Sequence, residues 1–222
     1  MRTAVDASLR WYEDVFAEHG IPNVVEHGLW RALAQPPRWH SVVKTLEPTS
    51  RKDHALSAAE PFDHCSVADS FGELDLSDDG FTLLFRATWV HHPRLAAPAG
   101  ALPRGWSVVD AEEVLEEWNR QHDTVDVLVP SLLGHPRFLF LCERGDGGLI
   151  GGAVLHDPGG HAVELSNTWA VADRQLDPGA LLACVHSLRP GREVVGYEHG
   201  RDLEALLEAG FRALGPQHVW VR

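Results

Sequence analysis

Apolar residues recur along this chain in blocks that alternate between a helical and a strand period. Near the start, Leu9, Tyr12, Val15 and Phe16 fall on one helical face, Gly20 is placed to end that helix, and Pro22 bars its continuation. Residues 40–46 and 80–91 are apolar and partly β-branched and predict strands. Between them, residues 49–77 mix charge, Ser and Pro and predict irregular chain. Further on, residues 106–109 predict a short strand. Asp110 then stands three residues before Glu113 with capping-box spacing, flanked by the apolar pair Val109 and Val114, and predicts a helix over 111–122. Residues 138–143, 149–156 and 161–170 predict three strands joined by Gly/Asp turns, an antiparallel meander. A helix over 181–188, stopped by Pro190-Gly191, precedes a strand over 193–197. A helix over 202–209 then places Leu203, Leu206 and Leu207 on one face with Gly210 behind it, and a strand over 218–221 closes the chain.

This order predicts an α+β protein: helices on a mixed central sheet that begins antiparallel and ends with crossovers. The stretch from Pro93 to Pro103 is rich in Pro, Ala and Gly and has no apolar period. It predicts a linker over 94–103 between an N-terminal α+β subdomain, 1–93, and a second domain, 104–222.

Charge and composition narrow the function classes. The 222 residues carry 19 basic and 32 acidic side chains, a net charge of −13, which argues against nucleic acid as the partner. No apolar run approaches the roughly 20 residues that span a bilayer. The N-terminus enters an amphipathic pattern without a signal-peptide core, so a cytoplasmic protein with no membrane partner is expected. Cys65, Cys142 and Cys184 are widely spaced, which speaks against a disulfide framework or cysteine-rich zinc site. The 14 histidines show no metal-ligand spacing, and the adjacent His91 and His92 of a strand point to opposite faces, so no metal is expected. Only Lys44 and Lys52 among the basic residues are lysines, which reads as a GC-rich coding bias. Trp11, Trp30, Trp39 and Trp89 are either core residues or the walls of a ligand cavity.

The element order over 104–222 resembles the GNAT (GCN5-related N-acetyltransferase) superfamily. So do the run Val195-Gly196-Tyr197-Glu198-His199-Gly200-Arg201-Asp202-Leu203 and the later Ala209-Gly210-Phe211 and Val219-Trp220, which are similar to an actinobacterial GNAT-like branch. The first half is compatible with a degenerate second copy of that fold. The resemblance implies an acyl-CoA N-acyltransferase that moves an acetyl or other acyl group from coenzyme A to a small-molecule amine.

Its coenzyme A loop, Gln/Arg-x-x-Gly-x-Gly/Ala, maps onto residues 173–180. Gln175 and Ala180 match the outer positions, Gly179 is expected to contact the cofactor with them, and Pro178 replaces the central glycine. Arg174 stands between the acidic Asp173 and Asp177. The resemblance implies that Trp169, Ala170 and Val171 line the thioester, that Glu164 is the general base, and that Tyr197 protonates the leaving thiolate. Where the family carries an asparagine after the fifth strand and a tyrosine in the next helix, His199 and Leu206 stand here, so the helix tyrosine is absent. Asn167 either binds a pantetheine amide or satisfies a bulge, and His199 with Glu198 either flanks the substrate or caps a helix. Glu164 is otherwise a solvent-facing strand carboxylate, and Tyr197 a half-buried core tyrosine. The competing expectation is a GNAT-fold protein that has lost coenzyme A and binds another ligand or partner. A third takes aminoacyl or carrier-protein donors.

Overall fold

The structure is a computed structural model that describes residues 1–94, 100–172 and 174–222. Part of the expected linker, residues 95–99, and Asp173 therefore lie outside the described residues. The chain opens with α1 (Arg2–Glu18), β1 (Asn23–Glu26), β2 (Leu29–Ala32), β3 (Val43–Thr45), α2 (Lys52–Ala59), β4 (Ser66–Asp69) and β5 (Thr82–His92). It continues with β6 (Trp106–Val108), α3 (Glu112–His122), β7 (Phe138–Gly145), β8 (Gly148–His156) and β9 (Ala162–Ala170). Then come α4 (Pro178–Leu188), β10 (Glu193–Glu198), α5 (Gly200–Glu208) and β11 (Arg212–Val221). The mixed α+β architecture, the meander β7–β8–β9 and the helices of the second half are as the periodicity predicts.

The eleven strands among the described residues form one sheet, ordered β1-β2-β3-β4-β11-β5-β10-β9-β8-β7-β6. Strands from the two sides of the expected linker interleave: β5 lies between β10 and β11, and β11 lies between β4 and β5. Each half thus lends a strand to the other. These pairings join residues more than a hundred positions apart, so no local pattern reveals them.

Three expectations are corrected. Residues 49–77 are not irregular, for they hold α2 and β4. Their polarity is absorbed internally: buried Asp69 accepts hydrogen bonds from the backbone amides of Phe71 (3.2 Å) and Leu74 (2.7 Å) and from the Thr45 hydroxyl (3.2 Å). Asp110 does not cap α3; the N-cap is Ala111, with no side-chain cap. The strand expected over 40–46 shortens to Val43–Thr45 and pairs with a hairpin, β1–β2, that the period does not announce. His27 (φ +53°) and Gly28 (φ +74°) form its two-residue turn, the left-handed pair that such a tight hairpin requires.

Helices cover both faces of the sheet. α1 packs against β5, β9 and β10, and α3 against β8 and β9. Leu181, Leu182 and Val185 of α4 join Leu206 of α5 against Val163, Leu165 and Val194. Strand alternation thus turns Val163 and Leu165 toward α4 and α5, and leaves Glu164 facing α1.

Gly152, in the centre of β8, is where α3 and β9 meet the sheet most closely. A Cβ there would strike the Nε1 atoms of both Trp118 and Trp169 and come within 2.9 Å of the Leu141 carbonyl. That carbonyl is also the acceptor for Trp118 Nε1, at 2.9 Å. Gly152→Ala is expected to destabilise the fold by about 3 kcal/mol in urea unfolding. Gly147→Ala, where nothing lies within 4 Å, should change it by less than about 0.5 kcal/mol.

Candidate functional site

The site begins where two parallel strands part. β9 and β10 pair only over Ala162–Glu193, Val163–Val194 and Glu164–Val195. At the next position the Cβ of any residue but glycine at 196 would lie 2.5 Å from the Leu165 carbonyl. On its other edge β9 bulges. The register with β8 slips between Ser166–Val154 and Trp169–Gly152, and Asn167 takes φ +50°. Asn167 is thus a bulge residue, with its side-chain amide donating to Ser166 Oγ (3.1 Å) and His122 Nε2 at 3.4 Å from its Oδ1.

Two cavities flank the opening. The larger, about 270 Å³, lies under α1 and is walled by the rings of Trp11, Tyr12, Trp39, Phe85 and Tyr197 with His40, His122 and His199. Glu164, Asn167, Thr168 and Glu198 complete it. The smaller, about 180 Å³, lies on the α4/α5 side and includes Trp169, Ala170, Arg174, Gln175, Arg201 and Asp202. Thr168 and Glu198 line both. The Thr168 hydroxyl donates to Glu198 Oε1 at 2.8 Å and so spans the opening between them.

The expected catalytic and substrate residues Glu164, Tyr197, Asn167 and His199 therefore gather in one cavity. Glu164 is not a solvent-facing carboxylate: it is 2% exposed, and its Oε2 has no hydrogen-bond partner. Burial pushes the Tyr197 phenol far up, so it keeps its proton at any physiological pH. Burial pulls His40 down to about 4 and lowers His122 as well, so both are neutral at pH 7. A neutral His40 fits its bonds, since Nε2 receives the Trp11 indole N–H at 3.1 Å while Nδ1 faces the Arg38 carbonyl at 3.1 Å. Burial raises the Glu198 carboxyl, against the Thr168 hydrogen bond. His199 is an exposed N-cap residue of α5 whose ring stacks on Phe85.

Trp39 closes one side of the mouth. Its backbone is left-handed (φ +66°), a strained state for a bulky residue. The indole N–H donates to the Asp123 carbonyl at 3.0 Å, and Arg38 pairs with the Asp123 carboxylate at 2.6 Å. Trp11 and Trp39 thus line the larger cavity, whereas Trp30 and Trp89 are wholly buried.

Lys44 and His156 were not legible as site residues. Lys44, wholly buried, sits 5.2 Å from the Tyr12 ring and 5.1 Å from that of Trp89, with no hydrogen-bond partner on Nζ. Burial lowers it to about 8, against the pull of Glu164. The scarcity of lysine in this arginine-rich chain was the one signal that could have marked it.

The residues expected to hold coenzyme A divide. Trp169, Ala170, Arg174 and Gln175 line the smaller cavity, while Val171, Gly179 and Ala180 do not. The Val171 amide donates to the Ile150 carbonyl at 3.1 Å. A diphosphate needs free amides at a helix N-terminus and uncommitted cations. Here Pro178 has no N–H, and the Gly179 amide is taken by Asp177 Oδ1 at 2.8 Å. Arg174 is paired with Glu143 at 2.7 Å, and Gln175 donates to the Arg201 carbonyl (2.9 Å) and to Asp202 (3.2 Å). The N-capping carboxylate stands where the anion would, so these residues do not fit the coenzyme A diphosphate. Among the described residues no cluster of His, Cys, Asp or Glu could hold a metal ion, and no helix is long and apolar enough to cross a membrane.

No family model and no curated protein matches this sequence. Solved structures do match its fold. A GCN5-related N-acetyltransferase from Kribbella flavida superposes with a TM-score of 0.59 at 14% identity, covering 97% of this chain and 94% of that one. An acetyltransferase of the GNAT family from Novosphingobium aromaticivorans gives 0.57 at 14% identity, covering 95% of each chain. A functionally unknown conserved protein from Staphylococcus epidermidis gives 0.56 at 12% identity over 87% of this chain and 83% of that one. Together with the mixed sheet parted between β9 and β10, these matches show that the chain has the GNAT acyl-CoA N-acyltransferase fold.

Proposed function

We propose that this chain binds a small-molecule amine in the larger cavity, with Glu164 as the group that takes its proton, and that it does so without coenzyme A held on the α4 turn. The observation that carries the reading is the enclosed carboxylate of Glu164, whose Oε2 receives no hydrogen bond, in a cavity walled by aromatic rings. An ammonium group in the cavity would donate to this carboxylate, and the faces of Trp11, Tyr12, Trp39 and Phe85 attract it through their quadrupoles. His40 and His122, neutral at pH 7, do not repel it, and the positive charges of Lys44 and His156 are set against the Glu164 carboxylate. Transfer of one ammonium proton to Glu164 leaves a neutral, nucleophilic amine. The Tyr197 phenol stays protonated on the same wall and offers a hydrogen-bond donor to the bound ligand. This is the acceptor half of an N-acyl transfer.

A second reading, transfer from acetyl-CoA or another acyl-CoA, is favoured by the position of the smaller cavity across the same opening. It requires Asp177 to release Gly179, Arg174 to leave Glu143, and the Thr168–Glu198 bond to open.

Two measurements separate the readings. Calorimetry and thermal shift with acetyl-CoA at about 1 mM, which detect binding of about −4 kcal/mol, are expected to give no signal. A Kd near 10 μM would restore the acyl-CoA reading. Asp177→Ala should cost about 1 kcal/mol of stability through loss of the cap. In the second measurement, thermal shift is read with tyramine, tryptamine and spermidine as probes. At least one should raise the Tm of the wild-type chain and not that of Glu164→Gln. No shift with any probe, or equal shifts in both proteins, overturns the amine assignment.

A further inference from the structure

The larger cavity hides a question of charge. Glu164 is useful as a proton acceptor only while ionised, and a carboxylate enclosed by protein is costly to ionise without a partner. The nearest partner is on the neighbouring strand. His156 of β8 sits directly opposite Glu164 in the β8–β9 register and is wholly buried. Its Nδ1 lies 3.7 Å from Glu164 Oε2, too long for a hydrogen bond and close enough for an ion pair. Its Nε2 donates to Asp14 Oδ2 at 2.8 Å. Asp14 comes from α1 and is held in turn by Arg137 at 2.9 Å. The imidazole packs against the rings of Trp11 and Phe138, with centroids 5.7 Å and 4.8 Å away.

Other groups feel the charge of the same carboxylate. Lys44 of β3, Tyr12 of α1 and Tyr197 of β10 interact with Glu164, and Lys44 is the charged one among them. His156 is faced by Asp14 from α1 and by Glu164 from β9.

We propose that Asp14 is a positioning residue for Glu164: it holds His156 as an imidazolium, and that cation keeps the Glu164 carboxylate charged inside the cavity. The inference rests on the reading of Glu164 as proton acceptor and gives α1 a task beyond covering the sheet. Burial by itself pulls the His156 imidazole toward the neutral form. The hydrogen bond to Asp14 and the Glu164 carboxylate outweigh it, and the net direction is upward. Asp14 is itself held below the usual carboxylate range: burial opposes this, but the His156 and Arg137 contacts prevail.

The test needs no ligand. The full chain is labelled with 13C at the Glu side-chain carboxyls and 15N in the His rings, and its NMR spectrum is read at pH 7. Glu164→Gln assigns the Glu164 signal. The wild-type chain is expected to show Glu164 ionised and both His156 nitrogens protonated. Asp14→Asn should turn His156 neutral and remove more than half of the ionised Glu164 signal, and Asp14→Glu should restore both. A merely structural role for Asp14 would move neither signal while the fold persists. The proposal is overturned if His156 is neutral in the wild-type chain, which needs no variant to fold. It also falls if Asp14→Asn leaves Glu164 ionised, or if Lys44→Met alone discharges it. The amine-binding test above is independent: probes that fail to bind leave these signals untouched, and a neutral His156 leaves the probe result standing.

Discussion

Everything in this molecule depends on the parting of β9 from β10 after three paired residues. The parting has two causes that act from opposite edges. Gly196 lets the backbone of β10 pass close to the Leu165 carbonyl, and the bulge at Asn167 turns β9 away on the side of β8. Unpaired strand edges inside a protein expose donors and acceptors that must be used or wetted. Here the edges become the boundary between two cavities, bridged by one side-chain hydrogen bond from Thr168 to Glu198. A continuous β9–β10 ladder would leave room for neither cavity.

The strand exchange explains how such an opening survives. A sheet split between two strands needs rigid flanks, and β10 obtains its second neighbour, β5, from the N-terminal half of the chain. The same half supplies α1, which places Tyr12 in the cavity wall and Asp14 behind it. The first ninety residues therefore do more than accompany the second part: the larger cavity has no roof, and His156 no anionic partner beyond Glu164, without them.

Much of this was legible where the signal is local. The meander, the helices α3, α4 and α5, and the GNAT-like element order follow from periodicity and turn residues. Glu164, Tyr197, Asn167 and His199, separated by up to 35 positions, do meet in one cavity. The remainder depends on contacts that no local pattern encodes. Tyr12 and His40 reach the cavity by tertiary packing. The β1–β2 hairpin turns on His27, a residue whose left-handed state is uncommon. β4 was hidden because Ser66 and Asp69 read as loop polarity, although Asp69 satisfies buried amides. The expected division at 94–103 marks a change of composition, yet strands from both sides of it share one sheet.

The net charge of −13 acquires a local meaning on the donor side. At the start of α4 a helix dipole would ordinarily attract an anion, worth up to about 1 kcal/mol at an exposed terminus. Asp177 satisfies that attraction from within, and Glu143 does the same for Arg174. An incoming diphosphate would have to displace two carboxylates before gaining a contact, and would then face both of them unpaired, with Glu198 and Asp202 in the wall of the cavity. On the opposite side of the sheet the situation is reversed. There the buried atom without a hydrogen bond is a carboxylate oxygen, Glu164 Oε2, which faces the His156 ring at 3.7 Å. At the start of α4 the chain's own carboxylates thus occupy the groups that an anion would need.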